Sequence, residues 1–184
     1  NLPNQGAERL AQNIKDYGNH LTTGFLGTPY LCEVLTKFGY NDLAYTLLLQ
    51  ETYPSWLYPV KMGATTIWER WDGIKTDSTF QTPGMNSFNH YAYGAIGDWM
   101  YRTITGLAEA SPGYKEIKIA PVPGGKLTQA SAELTTPYGL AKSSWSIEEG
   151  IFKFDVIVPA NTSAQVTLPK AASKRITEKS IDKK

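Results

Sequence analysis

The sequence predicts a chain that is α-helical first and antiparallel β afterwards. Helical periodicity and helix-ending residues fill its first part, and strand alternation with closely spaced turn residues fills its second. Seventeen of the 22 aromatic residues lie within residues 1–111 and only five within 112–184, so composition changes where periodicity does. The change falls at Ser111-Pro112-Gly113, a turn signal. The expected divisions are 1–110, 111–170 and a polar basic tail at 171–184.

Residues 5–17 place Leu10 and Ile14 one turn apart, and Asp16-Tyr17-Gly18-Asn19 stops that helix. Thr28-Pro29 opens a second helix with proline at its first position, and Gly39 ends it. Asn41 is read as the cap of a third helix through Gln50, with Leu43, Ala44 and Leu47 on one face. The stretch from Glu51 to Asn86 is irregular and punctuated by Pro54, Pro59, Gly63, Gly73, Pro83 and Gly84. Loops of this length in compact domains are usually functional. A last helix is expected from about Ser87 to Thr105, with Tyr91, Ala95, Ile96, Trp99, Met100 and Ile104 forming a wide buried stripe. Strands are expected at 115–120, 126–136, 140–148, 151–158 and 163–168, with Pro137-Tyr138-Gly139 and Glu148-Glu149-Gly150 as hairpin connections. Residues 151–157 alternate strictly, which gives one buried and one wet face. About five strands in so short a stretch point to a sandwich.

Hydrophobic residues make up 41% and charged residues 19%, enough apolar material for a packed core. The net charge is +1, so no overall field recruits nucleic acid or a membrane surface. No apolar run approaches the ~18–20 residues of a membrane helix. The charge is uneven: 1–169 carries a net −3 and 170–184 a net +4, which reads as a solvated terminus. A single cysteine excludes an intrachain disulfide framework and leaves the compartment open among periplasmic, secreted and cytoplasmic. Cys32 lies between Leu31 and Val34 in the second helix, where a small buried apolar role outweighs a nucleophilic one. Two histidines and one cysteine argue against a dedicated metal site, and no cofactor motif is present. The chain opens at Asn1 in polar sequence rather than at Met, and is expected to be a piece of something larger.

The densest chemistry lies in Thr65-Thr66-Ile67-Trp68-Glu69-Arg70-Trp71-Asp72 and Ser87-Phe88-Asn89-His90-Tyr91. A tryptophan face stacks on the C–H side of a sugar ring, and acidic and amide groups bond the hydroxyls around its edge. A carboxylate in such a pocket takes a proton from water. The plainer alternative makes Trp68 and Trp71 core anchors and pairs Glu69 with Arg70 or Arg102. His90 donates to a substrate in one reading and satisfies a backbone carbonyl in the other. The segment from His20 to Gly27 is a turn whose glycines allow close backbone approach, to a ligand or to another helix. Asn161-Thr162-Ser163, formally a glycosylation acceptor, reads mainly as a hairpin turn.

Residues 20–31 (HLTTGFLGTPYL), 41–58 (NDLAYTLLLQETYPSWLY), 63–73 (GATTIWERWDG) and 86–98 (NSFNHYAYGAIGD) resemble the C-terminal part of the bacterial α-L-rhamnosidases, glycoside hydrolase family 78. The β part, with YKEIKIAPVPGG and TPYGLAKSSW, resembles the sandwich that follows the catalytic domain there. The resemblance covers residues 1 to about 168. It implies that residues 1–110 are the last helices of an (α/α)6 helical barrel, followed by an antiparallel β-sandwich. It implies metal-free, cofactor-free hydrolysis of terminal α-L-rhamnose with inversion. Glu69 matches the family's general base in TTIWERW, and His90 matches the sugar-contacting histidine in SFNHYAYG. Trp68, Trp71 and the His20–Gly27 turn are expected to wall the pocket.

No residue here matches the family's general acid, which lies upstream, so the resemblance gives this chain one half of a catalytic pair. The expected partners are a rhamnose-containing oligosaccharide or glycoside and the N-terminal part of the barrel. Association with a second copy is the other way to cover exposed barrel helices. Two further readings stay open: a carbohydrate-binding module in the β part, against which stands the scarcity of platform aromatics there (Trp145 and Tyr138 are the obvious ones), and a structural segment without chemistry of its own.

Overall fold

A computed structural model describes residues 1–169. The basic tail expected at 171–184 lies outside them. The chain forms two compact units, one from Asn1 to Trp99 and one from Met100 onward.

In the first unit, α1 (Leu2–Asp16) buries Ala7, Ala11 and Ile14. The buried stripe is thus shifted from the expected Leu10, and its two alanines let a neighbour approach closely. The Asn19 amide turns back onto the Ile14 carbonyl at 2.9 Å and closes the helix. α2 (Thr28–Lys37) begins at Thr28-Pro29 and buries Leu31, Cys32 and Leu35. α3 (Asn41–Leu48) buries Leu43, Ala44, Tyr45, Leu47 and Leu48, so it is covered on most sides. Burial pushes the Cys32 thiol up to about 12, which keeps it protonated and unreactive near neutral pH. We expect an aromatic disulfide reagent to label folded Cys32 at least about a hundredfold more slowly than the denatured chain. Equal labelling rates would show that the α2–α3 packing is open.

The irregular stretch contains α4 (Leu57–Lys61), whose first turn is secured by the Tyr58 amide donating to Ser55 Oγ at 3.0 Å. An isolated antiparallel bridge joins Ile74 and Phe80. The last helix starts later than expected. Ala92–Ala95 form a 3₁₀ turn and α5 spans Ile96–Trp99. Residues 87–90 are withheld from the helix because their backbone groups pair elsewhere. Glu69 donates its amide to the Ser87 carbonyl (2.9 Å) and His90 donates its own to Ile67 (2.8 Å), so two backbone bonds tie 66–69 to 87–90 as an irregular two-segment ribbon. Tyr91, expected in the buried stripe, is 87% exposed. Trp99 is buried, its indole N–H on Thr36 Oγ1 at 2.9 Å and its ring edge-on to Tyr45.

In the second unit, Met100–Ile104 makes a π turn before β1 (Leu107–Glu109), a strand too short to show alternation in the sequence. β2 (Glu116–Ile119), β3 (Gln129–Thr136), β4 (Gly139–Glu148), β5 (Ile151–Ile157) and β6 (Ser163–Val166) follow. They form two three-stranded sheets, ordered β1-β2-β6 and β3-β4-β5. The helices-then-sheets order is the one expected, and every pairing is antiparallel save that of β6 with β2. A parallel pair needs a long crossover, and the β3-β4-β5 meander lies between these two strands in sequence. The sheets share a core of Leu107, Ile117 and Ile119 from one and Ala132 and Ala141 from the other. Trp145 is buried with its indole N–H on the Ile104 carbonyl at 2.8 Å. β5 keeps its period of two, with Phe152, Phe154 and Val156 half-buried between exposed neighbours.

Candidate active site

The ribbon of 66–69 against 87–90 builds the site in the first unit. Trp68 turns inward, where it is buried edge-on to Phe88 (5.1 Å between ring centres, 87°), and Glu69 beside it is half-buried. The Ser87 amide N–H donates to Glu69 Oε2 at 2.7 Å. Glu69 and Ser87 therefore exchange bonds in both directions, and one carboxylate oxygen is held in place. Among the described residues no hydrogen bond falls on Oε1, which is left as an acceptor. Glu69 pairs with neither arginine considered for it. Arg70 Nε lies 3.2 Å from Asp72 Oδ1, and Arg102 bonds Glu109 within the second unit. Asp72 Oδ2 also accepts from Gln81 Nε2 at 2.7 Å, which fixes the turn that follows the ribbon.

Trp71 is half-buried and stacks on Tyr93 at 3.7 Å and 16°, with Trp56 in an edge contact at 5.7 Å and 84°. The Trp56 indole N–H donates to the Tyr93 carbonyl at 2.9 Å. Burial pushes the Tyr93 phenol above its ordinary range, with the Arg70 cation opposing, so it stays neutral. Trp56, Trp68, Trp71 and Tyr93 line a cavity of ≈ 40 Å³ that neither Glu69 nor His90 lines. Among the described residues the buried Trp71 Nε1 has no hydrogen-bond partner. Gly73 is where the turn presses closest. A Cβ there would lie 2.9 Å from Asn86 Oδ1 and 3.1 Å from both Phe88 and Trp68.

His90 is half-buried at the far end of the ribbon. Its Nδ1 accepts the Ala92 amide N–H at 3.4 Å, which leaves Nε2 as the nitrogen bearing the proton. Its ring stacks on Phe25 at 4.7 Å and 14°. The ribbon thus carries Glu69 at one end and His90 at the other, and Trp68 and Trp71 line the cavity that neither Glu69 nor His90 reaches. His20, from the same turn as Phe25, has its Nε2 2.8 Å from Thr52 Oγ1. Phe25, Tyr93 and the Ser87 amide were not singled out in the sequence. For Phe25 the one signal was its place in the glycine-flanked turn of 20–27. Among the described residues no three His, Cys, Asp or Glu side chains are grouped to hold a metal.

Residues 2–104 match the family profile described as the bacterial alpha-L-rhamnosidase 6 hairpin glycosidase domain, and 106–182 match the bacterial alpha-L-rhamnosidase C-terminal domain. An alpha-L-rhamnosidase of Formosa agariphila is 54% identical over 162 residues, which cover 88% of this chain and 18% of that protein. One of Streptomyces avermitilis is 49% identical over 168 residues, covering 91% and 16%. The crystal structure of the Streptomyces avermitilis enzyme complexed with L-rhamnose superposes with a TM-score of 0.88 at 49% identity, over 90% of this chain and 16% of that one. The structure of the native enzyme from Aspergillus terreus gives 0.85 at 45% identity, over 90% and 19%. The chain spans less than a fifth of the length of these relatives. The helices of its first unit accordingly match a six-hairpin glycosidase domain, and its sheets match the C-terminal domain that follows it in sequence.

Proposed function

The chain belongs to the bacterial α-L-rhamnosidases, and from that membership we propose that it is the part of an inverting hydrolase that supplies the general base, Glu69. One observation carries the proposal. The Ser87 amide fixes Glu69 Oε2 on the same ribbon that holds His90, while Oε1 is left to accept a proton. In this reading Glu69 takes the proton of a water as that water attacks the anomeric carbon. The glycosidic oxygen leaves with a proton from an acid upstream of this segment. Inversion requires the two carboxyl groups to stand ~6.5–9.5 Å apart, with room for the water between them. His90 holds a sugar hydroxyl through Nε2–H. Trp71 and Trp68 shape the wall behind the ribbon. In this proposal the barrel part is followed by the β domain, with matched segments at 2–104 and 106–182, and β1, paired with β2, goes with the β domain.

The upstream barrel is the proposed partner of the first unit. Leu26, Phe80, Tyr30 and Met85 are large apolar side chains that stand exposed in it, which supports a covering neighbour. A chain holding one carboxyl of the pair is expected to turn over an aryl α-L-rhamnoside at least ~10²-fold more slowly than a polypeptide holding both.

The test is the stereochemistry of hydrolysis by the longest polypeptide that carries this segment. Proton NMR of the first product from 4-nitrophenyl α-L-rhamnoside should show the β anomer, which mutarotates afterwards. The α anomer as first product, or no release of nitrophenol, would overturn the proposal.

A further inference from the structure

We infer that Phe25 is a positioning residue for His90: its ring, stacked on the imidazole, sets the plane in which Nε2–H meets the sugar. The inference rests on the reading of His90 as the group that holds a sugar hydroxyl. The His90 backbone is anchored, since its amide N–H donates to the Ile67 carbonyl at 2.8 Å. The ring is anchored less firmly. Among the described residues it is bonded by the Ala92 amide to Nδ1, a bond long at 3.4 Å that does not fix rotation about the side chain. The Phe25 face at 4.7 Å and 14° supplies the missing restraint. Tyr91 lies parallel to the imidazole on a longer spacing of 6.1 Å and is itself exposed.

Phe25 is in turn held from behind. Its ring leans on Tyr93 at 5.2 Å and 59°, and Tyr93 stacks on Trp71. Its turn is closed by the Gly27 and Thr28 amides donating to the Gly24 carbonyl at 3.2 and 3.0 Å. Thr23 Oγ1 and Thr28 Oγ1 meet at 2.8 Å across the same turn. A row of aromatic contacts therefore runs from Trp71 through Tyr93 and Phe25 to His90. It joins the cavity wall to a proposed sugar contact 65 positions away from Phe25 in sequence. Phe25 itself is 37% exposed, so its loss leaves no void in the core.

The experiment is a double-mutant cycle on an aryl α-L-rhamnoside, in the longest polypeptide carrying this segment. A contact made equally in the ground and transition states is read in KM. Phe25→Leu should raise KM roughly 2–10-fold, the worth of an aromatic stacking pair, with a smaller change in kcat. Phe25→Tyr keeps the ring and should restore KM. In a His90→Ala background Phe25→Leu should add nothing, because the group it positions is gone. Phe25→Met repeats the measurement should the leucine variant lose its native melting temperature. Effects of Phe25→Leu and His90→Ala that multiply in the double variant would overturn the inference, as would an unchanged KM in Phe25→Leu alone. If His90→Ala leaves both KM and kcat unchanged, the role of His90 fails first and that of Phe25 falls with it.

Discussion

Glu69→Gln, made in the longest polypeptide carrying this segment, is expected to lower kcat for 4-nitrophenyl α-L-rhamnoside roughly 10²–10⁴-fold, with KM little changed. At about 1.36 kcal/mol per decade, that is roughly 3–5 kcal/mol of transition-state stabilisation. The substitution suits the question because of how Glu69 is held. Its Oε2 accepts the Ser87 amide N–H at 2.7 Å, and the carboxamide oxygen of glutamine accepts the same bond. The remaining atom becomes an NH₂, which cannot take a proton from water. Shape and anchoring are kept, and only basicity is removed. Sodium azide separates catalysis from structure. Azide attacks without deprotonation, so it should restore aryloxide release and yield the β-glycosyl azide. Near-full activity in Glu69→Gln without azide would make Glu69 structural. A loss that azide does not relieve, with a lowered melting temperature, would count equally against the base.

Local signals carried much of the fold. The second helix was legible because Thr28-Pro29 and Gly39 bound it, and α3 because of its dense apolar run, although Tyr40 and not Asn41 stands at its cap and it ends at Leu48 rather than Gln50. The hairpin strands were legible because alternation and turns repeat at short intervals. What local signals missed depends on distant partners. Residues 87–91 carry an apolar pattern compatible with helix, yet the amides of Glu69 and His90 draw them into a ribbon across some twenty positions. The parallel partner of β2 lies beyond an entire three-stranded meander. The site divides in the same way. The motifs around Glu69 and His90 could be read from the chain, but the choice of the Ser87 amide over Arg70 as the partner of Glu69 could not. Arg70 is the sequence neighbour and turns instead to Asp72. Phe25 escaped notice because nothing in a turn of small residues says which distant ring its phenyl will meet.

One added methyl group should strongly destabilise the second unit. Gly106 has φ +77°, and a Cβ there would lie 2.2 Å from the Pro121 nitrogen and 2.3 Å from the Ala120 carbonyl carbon. Those are backbone atoms, which cannot swing aside as a side-chain end can. The two strands are locked there, because Ala120 donates to the Gly106 carbonyl at 3.0 Å and Val122 to Thr103 at 2.9 Å. The next pair is Leu107 against Ile119, both wholly buried in the shared core. Relief of the overlap therefore separates β1 from β2 and opens that core. We expect Gly106→Ala to cost at least about 3 kcal/mol, the upper range for forced overpacking. In a unit of this size that lowers the melting temperature by roughly 12–24 °C. Gly113→Ala is the control. Gly113 has nearly the same φ, +74°, but no atom within 4 Å of its would-be Cβ. It should therefore show only the left-handed backbone cost of about 1–2 kcal/mol. Thermal unfolding of both variants separates conformational strain from overlap. If Gly106→Ala melts no lower than Gly113→Ala, the approach of β1 to the Ala120-Pro121 backbone is looser than these distances, and the core of the second unit does not depend on it.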